Sequence, residues 1–265
     1  MDQIIADKKW EVPDFITTEF KPRKNRFCIC IPIINEGRKF QRQIAKMSSL
    51  SNIIDIIVCD GGSTDGSINK SFLEKTGVRT LLTKTGEGKL SAQLRMGYSY
   101  ALSQGYEGII TIDGNNKDDT STIPNFIDAL DKGFDLIQGS RFIPGGGALN
   151  TPLSRLLAIR LIHVPLVSLL SNFHYTDTTN GYRAYSRKLL LDEKVAPLRD
   201  IFKTYELLAY LSVRAPRLGF RVQEIPVTRR YPKHAKIPTK ISPLKGNSDL
   251  LKILFFLACG KYDPK

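Results

Sequence analysis

The 265 residues, 42% hydrophobic and 25% charged, carry enough apolar mass for one large or two small globular domains, which excludes a disordered or fibrous chain. With 39 Lys and Arg against 26 Asp and Glu, the formal charge of +13 calls for an anionic partner: a phosphorylated ligand, a membrane surface or a nucleic acid. The four cysteines, Cys28, Cys30, Cys59 and Cys259, lack C-x-x-C spacing and ligand-spaced histidines, which argues against a structural zinc site and for reduced thiols in a cytosolic setting.

Residues 1–26 are polar, carry Pro13 and Pro22, lack the profile of a signal peptide, and read as an arm lying over the domain. Short β-branched runs follow at 27–34, 53–60, 78–83, 108–113 and 134–140, separated by stretches with helical spacing and caps at 36–48, 66–75, 88–103 and 120–132. That alternation predicts an α/β fold with a mostly parallel sheet. Beyond 151 come a long apolar and basic helix, a loop YTDTTNGYRAY, a helix around 205–215 and a strand FRVQEIPVTRRY. The apolar stretch 153–170 is interrupted by Arg155, Arg160, His163 and Pro165, and 250–258 is about half of the ~20 residues a bilayer requires, so no membrane span is expected. Residues 214–245 hold nine Lys or Arg against one acid, Glu224.

Three strand ends share one sheet edge in this reading. The first runs into Pro32, Ile33, Ile34, Asn35 and Glu36, and the second into the turn Asp60-Gly61-Gly62-Ser63-Thr64-Asp65-Gly66. The third stops at Asp113 and opens into Gly114, Asn115, Asn116, Lys117, Asp118 and Asp119. The carboxyl edge of a parallel sheet is where α/β proteins gather ligand groups. Asp113 and Asn115 offer two oxygen ligands for a hydrated Mg²⁺ or Mn²⁺ against a diphosphate. An ordinary turn, with Gly114 at positive φ and with Ser63 and Asp65 capping a helix, would carry the same letters.

PIINEGRKF, IIVCDGGSTDGS, IITIDGNNKDD, LIQGSRFIPGGG and DTTNGYRAY, in this order, resemble the family-2 glycosyltransferases of GT-A fold, and within them the dolichyl-phosphate mannosyltransferase-like branch, over roughly residues 27–232. The resemblance implies a Rossmann-like single domain at 27–245, with a donor half at 27–141, an acceptor half at 142–245, and an amphipathic C-terminal segment at 246–265. It also implies inverting transfer of a hexose from a nucleotide-diphospho-sugar. Carried over by position, Pro32, Ile34 and Glu36 lie beside the base and ribose, with Ile34 where tyrosine is usual. Asp60 holds the base edge, with Gly61 in place of a second acid. Asp113, Gly114 and Asn115 match the metal-binding D-x-D, and Arg141 lies near the diphosphate. Gly62 and Lys89 join the donor set. Lys117 stands where the branch has a metal-binding glutamine, and an ammonium cannot ligate a cation. With Asn115 it weakens the expected hold on the metal, so either Lys117 neutralises the leaving diphosphate or Asp118 or Asp119 supplies a ligand.

A phosphate acceptor needs no general base, whereas a sugar hydroxyl needs a carboxylate, for which Asp177 and Glu206 are the candidates. Glu206 would equally serve as a first-turn acid of its helix. Arg183, Arg229, Arg230, Lys233 and Lys236 are candidates to grip a lipid phosphate or the donor diphosphate. The favoured acceptor is a polyprenyl phosphate, with a glycan or small-molecule hydroxyl as the alternative. The segment SDLLKILFFLACGKY could lie on a bilayer or pack as a core helix. These features place the chain in the cytoplasm, at the cytoplasmic face of a membrane. A catalytically silent relative is a further reading, motivated by Asn115 and Lys117. A nucleic-acid partner would need aromatics interleaved with the basic residues, and the sequence has no such pattern.

Overall fold

A computed structural model of the chain describes residues 10–232 and 243–264. Its centre is an eight-stranded sheet in the order β1-β4-β3-β2-β5-β8-β6-β9. The expected strands are there as β2 (Phe27–Ile33), β3 (Asp55–Asp60), β4 (Val78–Lys84), β5 (Gly108–Thr111) and β6 (Leu136–Ser140). The helices between them are α1 (Arg38–Met47), α2 (Lys70–Lys75), α3 (Leu90–Ser103) and α4 (Ile123–Asp131).

Every residue of β2 and β3 is buried, as befits a parallel sheet covered on both faces. The two-residue period sorts their side chains. Cys28, Cys30, Ile57 and Cys59 face a core built with α3, and Ile29, Ile31, Ile33, Ile56 and Val58 face one built with α1 and α4. The cysteines are thus small packing residues. A Cβ on Gly97 of α3 would stand 2.6 Å from Cys59 Sγ, so helix and sheet approach closely.

Four departures from the sequence reading have physical reasons. The arm contributes a strand, β1 (Phe15–Glu19), which pairs antiparallel with the free edge of β4. Helix α2 begins at Lys70, where the Asn69 side chain accepts from the Phe72 N–H at 2.9 Å, so residues 66–69 belong to the turn. Part of the DTTNGYRAY loop becomes β8 (Arg183–Ser186), inserted antiparallel between β5 and β6. The last strand is broken at Val227 into β9 (Val222–Pro226), parallel to β6, and β10 (Thr228–Arg230), parallel to β7 (Gly147–Leu149) in a separate pair.

The apolar and basic stretch forms one helix, α5 (Leu153–Ser171), 19 residues long with mean hydropathy 1.7. By length and composition alone it is apolar enough to cross a membrane, its interruptions notwithstanding. A π-helical stretch at Ile159–His163 precedes Pro165, which lacks an N–H, and carries the helix on. Leu153, Leu161 and Leu169 are 68%, 69% and 79% exposed. After α6 (Arg187–Leu191) and α7 (Glu206–Arg217), α8 (Pro243–Ala258) packs on α7 and the end of α5, with Ile253, Leu254 and Leu257 buried. The C-terminal segment therefore takes the core-helix alternative over this face, with Leu251 and Phe255 remaining exposed.

Candidate active site

The chain leaves β2 to one side through β3 and β4 and returns on the other side as β5. The crevice beyond the carboxyl ends of β2 and β5 is thus the topological switch point where such sheets bind ligands. Three loops meet there. Asn35, at φ 50°, donates its N–H to Ser63 Oγ at 3.0 Å and accepts the Thr64 N–H on its side-chain oxygen at 2.8 Å. Asp60 accepts the Ser63 N–H at 3.0 Å and its hydroxyl at 2.6 Å, and Gly62 takes φ +91°. Asp65 accepts the Ser67 N–H at 2.9 Å, so it and Ser63 brace the turn and cap no helix. Pro32 is buried in β2, Ile34 is exposed and Glu36 half-buried at this rim. Lys89 is exposed at the start of α3, anchored by its N–H to Lys203 O at 2.7 Å.

The Asp113 corner is packed from behind. Gly114 is not at positive φ, contrary to expectation; a Cβ there would lie 2.1 Å from Ile33 Cγ2, so close approach is what requires glycine, and Asn116 takes the left-handed turn at φ 55°. A Cβ on Gly181 would lie 2.8 Å from Asp113 Oδ1. Gln43, buried on α1, donates to Asp113 O at 2.9 Å and accepts the Asn116 N–H at 2.6 Å. Sequence reasoning missed it, yet the signal was present: a polar residue in the apolar stripe Phe40, Ile44 and Met47.

The front of the corner is ionic. Arg229 of β10 donates from Nη2 to Asp113 Oδ2 at 2.9 Å and from Nη1 to Asp118. Backbone contacts set this up: Arg230 N–H to Lys117 O at 2.8 Å and Asp119 N–H to Thr228 O at 3.0 Å. Burial would lower the Arg229 pKa, but Asp118 and then Asp113 outweigh it and hold it above the ordinary arginine value. Burial raises the Asp118 carboxyl to about 6, with Arg229 offsetting only part of that. Lys117, with Nζ 5.1 Å from the Tyr231 ring centroid, is lowered by burial and then by Arg229. Tyr231, a second missed residue, accepts from Arg155 Nη1 of α5 at 3.0 Å. Burial opposes the shift, but Arg229, Arg155 and Arg141 bring its pKa below the usual phenol value.

These groups do not fit a divalent cation as arranged. Asp113 Oδ2 is taken by Arg229 and, at 3.4 Å, by the Asn115 amide, while Asn115 Oδ1 accepts the Lys117 N–H at 3.2 Å. Among the described residues no three His, Cys, Asp or Glu side chains gather as a ligand set.

The remaining candidates divide. Arg141 and Asp177 form a buried two-point pair, Nε to Oδ2 at 2.6 Å and Nη2 to Oδ1 at 2.8 Å, in which Asp177 is fully enclosed and not placed as a base. Arg183, also buried, donates to Asn180 O at 2.9 Å, Ser212 Oγ at 2.8 Å and Thr178 O at 2.7 Å, and so clamps the 178–180 loop to α7 without reaching the cleft. Glu206 sits in the first turn of α7, the first-turn-acid alternative, and accepts the Thr204 N–H at 2.7 Å. Arg230 is exposed beside Arg229. Lys233 and Lys236 lie outside the described residues.

Residues 28–192 match the family described as "Glycosyl transferase family 2". The polyprenol monophosphomannose synthase of Mycolicibacterium smegmatis is 30% identical over 77% of this chain and 77% of its own. The undecaprenyl-phosphate mannosyltransferase of Micrococcus luteus is 27% identical over 77% of this chain and 83% of its own. Among solved structures, glucosyl-3-phosphoglycerate synthase of Mycobacterium tuberculosis, bound to Mn²⁺, UDP and phosphoglyceric acid, superposes with a TM-score of 0.64 at 18% identity, covering 88% of this chain and 78% of that one.

Proposed function

The chain belongs to glycosyl transferase family 2 and has its GT-A fold, and from that membership we propose that it moves a hexose, with inversion, from a nucleoside-diphosphate sugar to the phosphate of a polyprenyl lipid. The observation that carries the choice of acceptor is the fate of the two carboxylates a hydroxyl acceptor would call on. Asp177 is enclosed by Arg141, and Glu206 is bonded back to Thr204. A phosphate oxygen attacks as an anion and needs neither. The names of three relatives, which act on polyprenol, undecaprenyl phosphate and dolichyl phosphate, agree with this reading.

The donor lies across the switch point, its base and ribose along residues 32–36 and 60–66 and its diphosphate at the Asp113 corner. Helix α5 connects that corner to a lipid surface. Arg155 reaches Tyr231 from its first turns, and Leu153, Leu161 and Leu169 point outward along its length. In this reading the helix lies in the membrane interface, its basic residues near the lipid phosphate. Incubating the protein with polyprenyl phosphate in detergent and with labelled GDP- and UDP-hexoses tests the assignment. Label must enter the organic phase; label confined to water-soluble products would move the acceptor to a hydroxyl.

A further inference from the structure

We propose that Arg229 takes the place of a divalent cation at the Asp113 corner and, with Lys117, carries the charge of the departing diphosphate, so that donor binding and transfer run without added metal. The inference rests on the glycosyl-transfer reading and deepens it. Its basis is occupancy and charge. Asp113 Oδ2 already receives Arg229 Nη2 at 2.9 Å and the Asn115 amide at 3.4 Å. The second member of the acidic pair is the neutral Asn115, and the side chain two positions on is the cation Lys117.

Arg229 is held on both sides. Asp118, buried, receives one arm of the guanidinium, and the strand carrying Arg229 is hydrogen-bonded to residues 117 and 119. Asp113 is different: its side chain is 29% exposed and faces the crevice. A diphosphate oxygen arriving there meets a guanidinium already oriented by Asp118, with Asp113 as the anion whose position it shares. A metal ion at Asp113 would stand beside the same guanidinium, two cations sharing one carboxylate whose Oδ2 Arg229 already holds.

During transfer an acceptor phosphate oxygen forms a bond to the anomeric carbon while the bond from that carbon to the β-phosphate oxygen breaks, its electron pair staying on that oxygen. No proton moves. The nucleoside diphosphate leaves with one more negative charge than it had in the donor, and Arg229 and Lys117 are the fixed cations facing it.

The test uses the full chain freed of metal by chelation, with UDP and GDP as probes in calorimetry, and the lipid transfer assay in parallel. The nucleoside diphosphate that binds should do so with about the same affinity in chelator and in millimolar Mn²⁺, and transfer should persist in chelator. Arg229→Lys should weaken binding under both conditions; should that variant fail to fold, Asn115→Asp with Lys117→Gln restores an acidic set and should bind about tenfold or more weakly in chelator, regaining affinity with Mn²⁺. Wild-type binding that collapses in chelator and returns with Mn²⁺ overturns the role of Arg229 while leaving glycosyl transfer standing. No binding of either nucleotide in either condition removes both.

Discussion

Arg141 with Asp177 and Arg229 with Asp113 are the same chemical pair in two settings. Both arginines are buried, at 2% and 8% side-chain exposure, but Asp177 is at 0% and Asp113 at 29%. The first pair is closed by Thr179, and the backbone beside it is fixed by Glu224, which accepts the Thr176 and Asp177 N–H groups at 2.9 and 3.0 Å. It ties the 177–179 loop to the end of β6. The second pair has one carboxylate sealed and one open to the crevice, so its guanidinium can exchange a protein anion for a ligand anion. Exposure of a single partner is what separates the closed ion pair from the one that, in the proposed reading, meets the donor.

The largest effect is expected where the closed pair is broken. Asp177→Ala leaves Arg141 buried and unpaired and should cost about 3–5 kcal/mol in urea unfolding. A loss below about 1 kcal/mol would mean that the two regions do not differ as described.

The next effect tests the closed region through pH. Burial first, and then the charge of Arg183, lower the pKa of His163 to about 4, and its Nδ1 lies 2.9 Å from Thr178 Oγ1. Because the folded pKa lies below the unfolded one near 6.5, the folded state stays neutral where the unfolded chain gains a proton. Stability from this group is complete above about pH 6.5 and falls toward pH 4, by up to about 3 kcal/mol. His163→Gln should flatten that part of a stability profile; parallel curves for wild type and variant would remove the assignment.

At the open pair, Arg229→Lys keeps the charge and loses the fork. Transfer should fall about 10- to 100-fold, with a stability loss smaller than that of Asp177→Ala. Equal stability losses at the two arginine sites would erase the contrast. The smallest stability effect should come from α5: Leu161→Glu should leave the unfolding free energy within about 0.5 kcal/mol of wild type while weakening sedimentation with anionic lipid vesicles. Unchanged vesicle binding would detach α5 from the lipid surface.

The sheet was legible because buried parallel strands are β-branched runs bounded by turns, and five of them stand in the sequence with their ends in order. The rim residues Asp60 and Asp113 were legible for the same reason, since a strand end states which edge its next residue joins. Insertion of β8 between β5 and β6 was not legible, because antiparallel pairing of Arg183 with Thr111 and Gln138, far away along the chain, leaves no local periodicity. Nor was the role of Gly114, which follows from the reach of Ile33 on a neighbouring strand and not from its own φ.

By itself, the sequence determined the succession of strands and helices in the donor half, the family its motifs resemble, and the loss of acidity at Asn115 and Lys117. The tertiary structure alone decided which cation answers that loss. Arg229 lies 116 residues from Asp113 along the chain, and only the pairing of β10 with the 117–119 backbone brings its guanidinium to the carboxylate. The same folding encloses Asp177 and leaves Asp113 open, because access to water is a property of the packed surface that no local stretch of residues carries.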